Sequence, residues 1–261
     1  MLDSLMLPVS LYDEIEIRKA KRAPRAIPRI AISCDHPLVP LGEKNLAFAA
    51  AQLLLSRIET RWAVHVHIRK RIPVGAGLGG GSTDAAATLV GLNRLFKLGL
   101  SEARLEKLAL SLGADVPFFV RARPARARGI GERLSPISGL ARFWLVILYP
   151  GFPVSTARVY QRLGTTLTKT KVNTSIATSL TSPDAIASLL RNDLESVALK
   201  MHPGIQLLKD KLLREGAAGG LMSGSGSAVF GIFRSKKAAE KAYYWLRKEE
   251  RVDAFLVRVL N

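Results

Sequence analysis

The sequence predicts an α+β protein in two lobes, residues 1–140 and 141–261. Three features point there. Apolar residues in Trp62–Ile72 alternate with the period of two that a half-buried strand needs, while the Ala/Leu-rich runs on either side have helical spacing. A short, nearly continuous apolar run, Ala141–Pro150, has the length and composition of a buried strand. The pattern breaks near residue 140, and mixed strand and helix signals recur on both sides of the break.

The elements come in this order. Leu11–Ile17 alternates weakly and reads as a strand. Asn45 is placed to cap a helix running to Arg57. In the Trp62–Ile72 strand, Val64, Val66 and Ile68 share one face, and His65, His67 and Arg69 the other. After a glycine-rich segment, Ser82–Phe96 returns to helical spacing. Ser101 is an N-cap for a helix to about Leu112, with Gly113 as its stop. The polar, Thr/Ser-rich stretch Thr165–Pro183 reads as a connector or mobile loop. Asn192–Lys200 and Ile205–Glu215 read as helices, Ala228–Phe233 as a strand, Lys236–Lys248 as a helix and Ala254–Val259 as a closing strand.

Composition narrows the function classes. At 261 residues with 48% apolar and 23% charged residues, the chain can bury a real core, which excludes disorder as a description of the whole. A single cysteine, Cys34, excludes a disulfide framework and an all-cysteine metal site, and fits a reducing cytoplasm. The N-terminus lacks the basic start and apolar stretch of a signal peptide, and runs such as Leu46–Leu55 fall short of the ~18 residues of a spanning helix. A cytoplasmic protein with no membrane partner is expected. Net charge is +18, from 39 Lys+Arg against 21 Asp+Glu, spread evenly over both halves. Two basic concentrations, Arg18–Arg29 and Arg121–Arg133, interleave no aromatics in the manner of a single-strand groove. A solubilising surface is the first expectation, attraction of a small anionic substrate the second, and nucleic acid a minor third.

Five glycines fall within Gly75–Gly81, between a strand and a helix. Glycine permits positive φ and close backbone approach, and the next helix presents free N–H groups and the positive end of its dipole. Together these suit a phosphate. Ser82 and Thr83 add hydroxyls that could cap the helix, touch phosphate oxygens or help hold Mg²⁺. No Gly-Lys-Ser/Thr comes after the glycines, so this is no Walker A loop. The letters Gly75-x-Gly77-x-x-Gly80 match a dinucleotide fingerprint, but its acidic partner would have to be Glu102, in the first turn of a helix.

Asp115 lies among apolar neighbours in Leu112–Val120, as a turn cap or as a working carboxylate. Gly224–Ser227 reads as an anion nest or as a flexible connector. His65 and His67 share a strand face without a third metal ligand nearby, so an exposed polar face is expected and no metal ligands are named. His36 and His202 are isolated, and Cys34-Asp35-His36 is no triad, because neighbours in a strand point to opposite faces.

These segments occur together and in order. Pro73–Thr83, the GADVPFF segment around Asp115, Ala127–Leu134, Pro150–Tyr160, Asn192–Glu195 and the small-residue loop before Phe233 resemble the GHMP kinases across nearly the whole chain. The likeness is strongest to the branch acting on 4-diphosphocytidyl-2-C-methyl-D-erythritol (CDP-methylerythritol), in non-mevalonate isoprenoid biosynthesis. The resemblance implies a ribosomal-protein-like N-terminal lobe, a ferredoxin-like C-terminal lobe, ATP and Mg²⁺. Pro73, Val74, Gly75, Ala76, Gly77, Leu78, Gly79, Gly80, Gly81, Ser82 and Thr83 would wrap the ATP phosphates, and Lys70 would lie near the adenine. Asp115 would be the general base, Thr156 and Tyr160 would lie at the substrate, and Gly224–Ser227 would close the cleft. A monomer or homodimer is expected, with no nucleic-acid partner.

One family motif has no counterpart here. Members begin with a Pro-Ala-Lys segment and Asp-Gly-Tyr-His, whereas the first residues of this chain match the family's next stretch. No catalytic lysine is therefore named. The expectation is an internal methionine taken as the start, or a truncation, with low activity and stability. The other readings are a different GHMP small-molecule kinase, an inactive relative, or a basic RNA-binding protein.

Overall fold

The computed structural model describes residues 2–21, 29–163, 180–248 and 252–260. Most of the Thr165–Pro183 connector, and part of the Arg18–Arg29 basic cluster, lie outside them. The chain forms two compact units: Met1–Leu7 with Tyr12–Val74 and Gly79–Pro136, and Pro8–Leu11 with Gly75–Leu78 and Ile137–Asn261. The break expected after residue 140 falls after Pro136, and two short segments from the N-terminal half belong to the second unit.

In the first unit, β2 (Glu14–Lys21) pairs antiparallel with β4 (Trp62–Arg69), and β3 (Ile30–Cys34) runs parallel to β4. The central position of β4 explains its strong alternation. Val64, Val66 and Ile68 are buried, and on each the transfer from water contributes about 1.5–3 kcal/mol. They face α1 (Leu46–Leu55) and α2 (Gly80–Leu95) in one core. Fully buried Ala47, Ala50 and Ala51 on α1 and Ala85 and Ala86 on α2 keep the side chains between these elements small. Asn45 caps α1 as expected, its Oδ1 accepting from Ala47 N at 2.8 Å. Ser101 caps α3 (Glu102–Leu110), accepting from Arg104 N at 3.3 Å. Glu102 is thus in a helical first turn, bridged to Arg121 at 3.5 Å, which removes the dinucleotide fingerprint's acidic residue.

A short helix, α4 (Val116–Arg121), and a second sheet complete this unit. The sheet order is β1 (Leu2–Met6), β5 (Ala125–Gly129), β6 (Arg133–Pro136), all antiparallel. The Arg121–Arg133 cluster is therefore partly strand. Ala125 and Ala127 point inward, and Arg126 outward to Asp3 at 2.5 Å.

The second unit is a four-stranded antiparallel sheet, β10 (Asp253–Arg258), β7 (Trp144–Tyr149), β9 (Val229–Phe233), β8 (Gly219–Met222) in that order. Numbered along the unit this is 4-1-3-2, the ferredoxin-like order expected. β7 is central and buried from Leu145 to Tyr149, which is why its sequence is apolar without alternation. Helices α5 (Thr156–Leu163), α6 (Pro183–Ser188), α7 (Glu195–Met201), α8 (Gly204–Arg214) and α9 (Lys236–Leu246) accompany it. Ile205, Leu208 and Leu212 of α8 and Ala239, Ala242 and Leu246 of α9 share one core with Val146, Leu148 and Phe233. Among the described residues, no helix is long and apolar enough to cross a membrane.

Candidate active site

The glycine segment splits between the units. Gly79 caps α2 in the left-handed region, φ +72°, without any side-chain cap bond. The N–H groups of Gly80, Gly81 and Ser82 have no intrahelical acceptor, and no acidic residue occupies this first turn. Both facts favour an anion there. Thr83 Oγ1 donates to Gly79 O at 2.9 Å, so this hydroxyl serves the backbone, while Ser82 is half-buried.

Within the second unit, the carbonyls of Gly75, Ala76 and Gly77 accept from Val154 N (3.0 Å), Ala228 N (3.0 Å) and Ser223 Oγ (2.9 Å). Carbonyls engaged in this way are tied into the protein. Gly77, at φ +76°, admits no side chain, because a Cβ would collide with Ser223 O and lie 2.9 Å from Gly226 N. Asn192 Nδ2 donates to Met222 O (2.9 Å) and Gly224 O (2.7 Å), and Glu195 Oε1 accepts from Met222 N (3.0 Å). Gly224–Ser227 is thus braced, not a flexible connector. It is not a run of free N–H groups either, because Gly226 N donates to Ser223 O at 2.9 Å. Sequence reasoning missed Asn192 and Glu195 as braces, since nothing local links them to a loop about 30 residues away.

Thr156 opens α5, and its Oγ1 lies 2.7 Å from the buried Ser225 Oγ. Tyr160, one turn further on, is 45% exposed. Both belong to the second unit.

Asp115 stands before α4 and makes no side-chain cap bond, so it is not a turn cap. Among the described residues no hydrogen bond or ion pair holds its carboxylate. It keeps solvent access, yet the protein around it thins its hydration and pushes its pKa above the usual carboxylate range. Phe119, one turn along, packs against Gly79: a Cβ there would lie 2.5 Å from the ring. The Asp115 helix and the N-terminus of α2 are therefore in contact.

Lys70, expected near an adenine, uses its charge within the protein. Its ammonium is enclosed, 2.5 Å from Asp13 Oδ2 and 2.8 Å from Asp84 Oδ2, with the three side chains 4%, 1% and 5% exposed. Two carboxylates hold the Lys70 pKa up. Asp84 has its pKa pushed up to about 7, chiefly by burial. His65 Nε2 and His67 Nδ1 both bond Ser33 Oγ, at 2.9 and 2.8 Å, on the outward face of β4. Among the described residues no three metal-ligating side chains come together.

Residues 45–123 match the family description GHMP kinases N terminal domain, and residues 176–250 match GHMP kinases C terminal. A protein of Syntrophus aciditrophicus named 4-diphosphocytidyl-2-C-methyl-D-erythritol kinase is 45% identical over 260 residues, covering 100% of this chain and 91% of the relative. The chain belongs to the GHMP kinase family. A solved 4-(cytidine 5'-diphospho)-2C-methyl-D-erythritol kinase superposes with TM-score 0.79 at 33% identity, covering 99% of this chain and 90% of that one. Homoserine kinase from Cytophaga hutchinsonii superposes with TM-score 0.78 at 19% identity, a likeness of fold alone. The two-lobe GHMP kinase fold expected from the sequence is therefore the fold observed, and an ATP-dependent kinase is the activity the family carries.

Proposed function

We propose that this GHMP kinase transfers the γ-phosphoryl group of ATP to the 2-hydroxyl of 4-diphosphocytidyl-2-C-methyl-D-erythritol. The relatives' names supply the substrate. The observation in the molecule that carries the chemistry is the pairing of an uncapped helix N-terminus with a carboxylate that has no partner among the described residues, joined by the Phe119–Gly79 contact.

Residues Pro73–Thr83 cradle the triphosphate, with Gly80, Gly81 and Ser82 N–H groups donating to its oxygens. Phosphoryl transfer asks for positioning and for neutralisation of charge on those oxygens, which the helix dipole and the N–H groups provide. Asp115 accepts the proton of the attacking hydroxyl. Its carboxylate, free among the described residues and made more basic by desolvation, suits a general base. Tyr160 offers a surface on which a cytosine ring stacks, and Thr156, held by Ser225, borders it. Mg²⁺ accompanies ATP as its charge partner. The described side chains gather no metal site of three or more ligands of their own. The Lys70 ammonium, enclosed by two carboxylates, does not hold the adenine. A cytoplasmic location rests on the single, half-buried cysteine.

The test is ADP release by the purified chain with ATP, Mg²⁺ and CDP-methylerythritol, against mevalonate and homoserine, with the product phosphate located by phosphorus NMR. Turnover on CDP-methylerythritol alone is expected. Turnover confined to another alcohol would overturn the substrate, and ATP binding without turnover on any of them would overturn the activity.

A further inference from the structure

The Asp13–Lys70–Asp84 cluster joins three elements: Asp13 precedes β2, Lys70 comes directly after β4, and Asp84 lies in the second turn of α2. Its bonds reach both ends of the glycine segment. On the entering side, Asp13 Oδ1 accepts from Arg71 N at 2.6 Å and from Ile72 N at 2.8 Å. On the leaving side, Lys70 Nζ bonds Asp84 and packs under the first residue of α2, where a Cβ on Gly80 would lie 2.9 Å from the ammonium. Asp84 is one turn beyond Gly80 on the same helix face.

Enclosing three ionisable groups, two of them acidic, is an expensive way to gain stability, since volume-matched apolar residues often do as well. The Asp84 Oδ1 atom is buried without a partner, so the cluster is not even fully satisfied. What it does achieve is geometric. Residues 71–72 are held by Asp13, the first turns of α2 by Asp84, and both carboxylates share the Lys70 ammonium, so the loop between them is closed at its base.

We propose that Asp13, Lys70 and Asp84 are positioning residues, a charged clamp that fixes the two ends of the glycine loop so that the Gly80–Ser82 N–H groups converge on the triphosphate. This rests on the reading that ATP phosphates bind at that turn. The clamp acts through the backbone and touches no nucleotide atom.

Asp84→Asn keeps the shape and removes one charge. With the clamp loosened, the KM for ATP and the Kd for a fluorescent ATP analogue are expected to rise about tenfold, while kcat changes less than threefold and Tm falls by only a few degrees. A purely structural cluster would lower Tm and leave KM and Kd of the folded enzyme unchanged, which would overturn the proposal. Should Asp84→Asn not fold, the double variant Lys70→Met with Asp84→Leu, matched in volume and leaving Asp13 its two N–H partners, is read in the same way. The unsubstituted enzyme is titrated first. If it does not bind the analogue, the reading of the phosphate site falls and the clamp with it. If it binds and the variants bind equally well, the clamp alone falls.

Discussion

The Phe119 ring closes over Gly79, the left-handed residue that starts α2, leaving no room for a side chain between them. Two costs therefore meet at this position. An L-residue held at φ +72° gives up about 1–2 kcal/mol, and Phe119 must also move. Gly79→Ala is expected to lower Tm by several degrees and to raise the KM for ATP. Phe119→Ala in the same chain should return part of the loss. A double-mutant cycle on urea unfolding measures that coupling.

Asp115→Asn should separate chemistry from folding. Among the described residues the carboxylate holds nothing, so its loss leaves Tm unchanged or slightly raised, since ionising a group whose pKa is elevated works against the folded state. As the base, it should take kcat down by on the order of 10²–10⁴. Activity requires the ionised form. The acid limb of kcat/KM should therefore lie above the usual carboxylate pKa and vanish in the variant. Steady-state rates across pH check both.

Asp84 predicts a pH dependence of stability with a definite sign. Its folded pKa of about 7 exceeds the 3.8 of the unfolded chain, so between these values the folded state binds more protons. The Asp84 contribution is fully favourable below 3.8, declines as pH rises toward 7, and is level above that. The difference in urea midpoint between the unsubstituted protein and Asp84→Asn should change over that window and nowhere else.

Thr156→Val should cost more than Ser225→Ala. Removing the exposed Thr156 hydroxyl leaves the buried Ser225 hydroxyl without its 2.7 Å partner, a loss of about 1–3 kcal/mol. Removing Ser225's hydroxyl instead leaves Thr156 in water. Chemical unfolding of the two variants compares them directly.

Legibility tracked the range of the interactions. β4, α1 and α3 could be read because their signals are local: strict alternation in Val64, Val66 and Ile68, and the caps Asn45 and Ser101. β7 could be read because a central strand buried throughout needs apolar residues at every position. β5 was not, because its inward side chains are Ala125 and Ala127, which have weak strand preference, and its outward arginines read as a charge cluster. At the site, the glycines and Asp115 announced themselves by composition. Lys70 did not, because its partners lie 57 and 14 residues away and nothing beside it in sequence marks it as enclosed. The family likeness pointed it at a nucleotide, and only the fold shows where its charge goes.

The short segment Pro8–Leu11 lies early in the sequence yet belongs to the second unit. Ser10 N donates to Arg258 O at 2.9 Å, Ser10 Oγ accepts from Arg258 N at 3.0 Å, and Val9 bridges Val259. Ser10 and Arg258 are separated by 248 residues. At ribosomal speeds of about 5–20 residues per second, Ser10 waits roughly 12–50 s for the strand it pairs with. During synthesis, Pro8–Leu11 therefore stays without its strand partner until the last residues are made. Shortening the chain at its far end would strip an early segment of the partners it was made to meet.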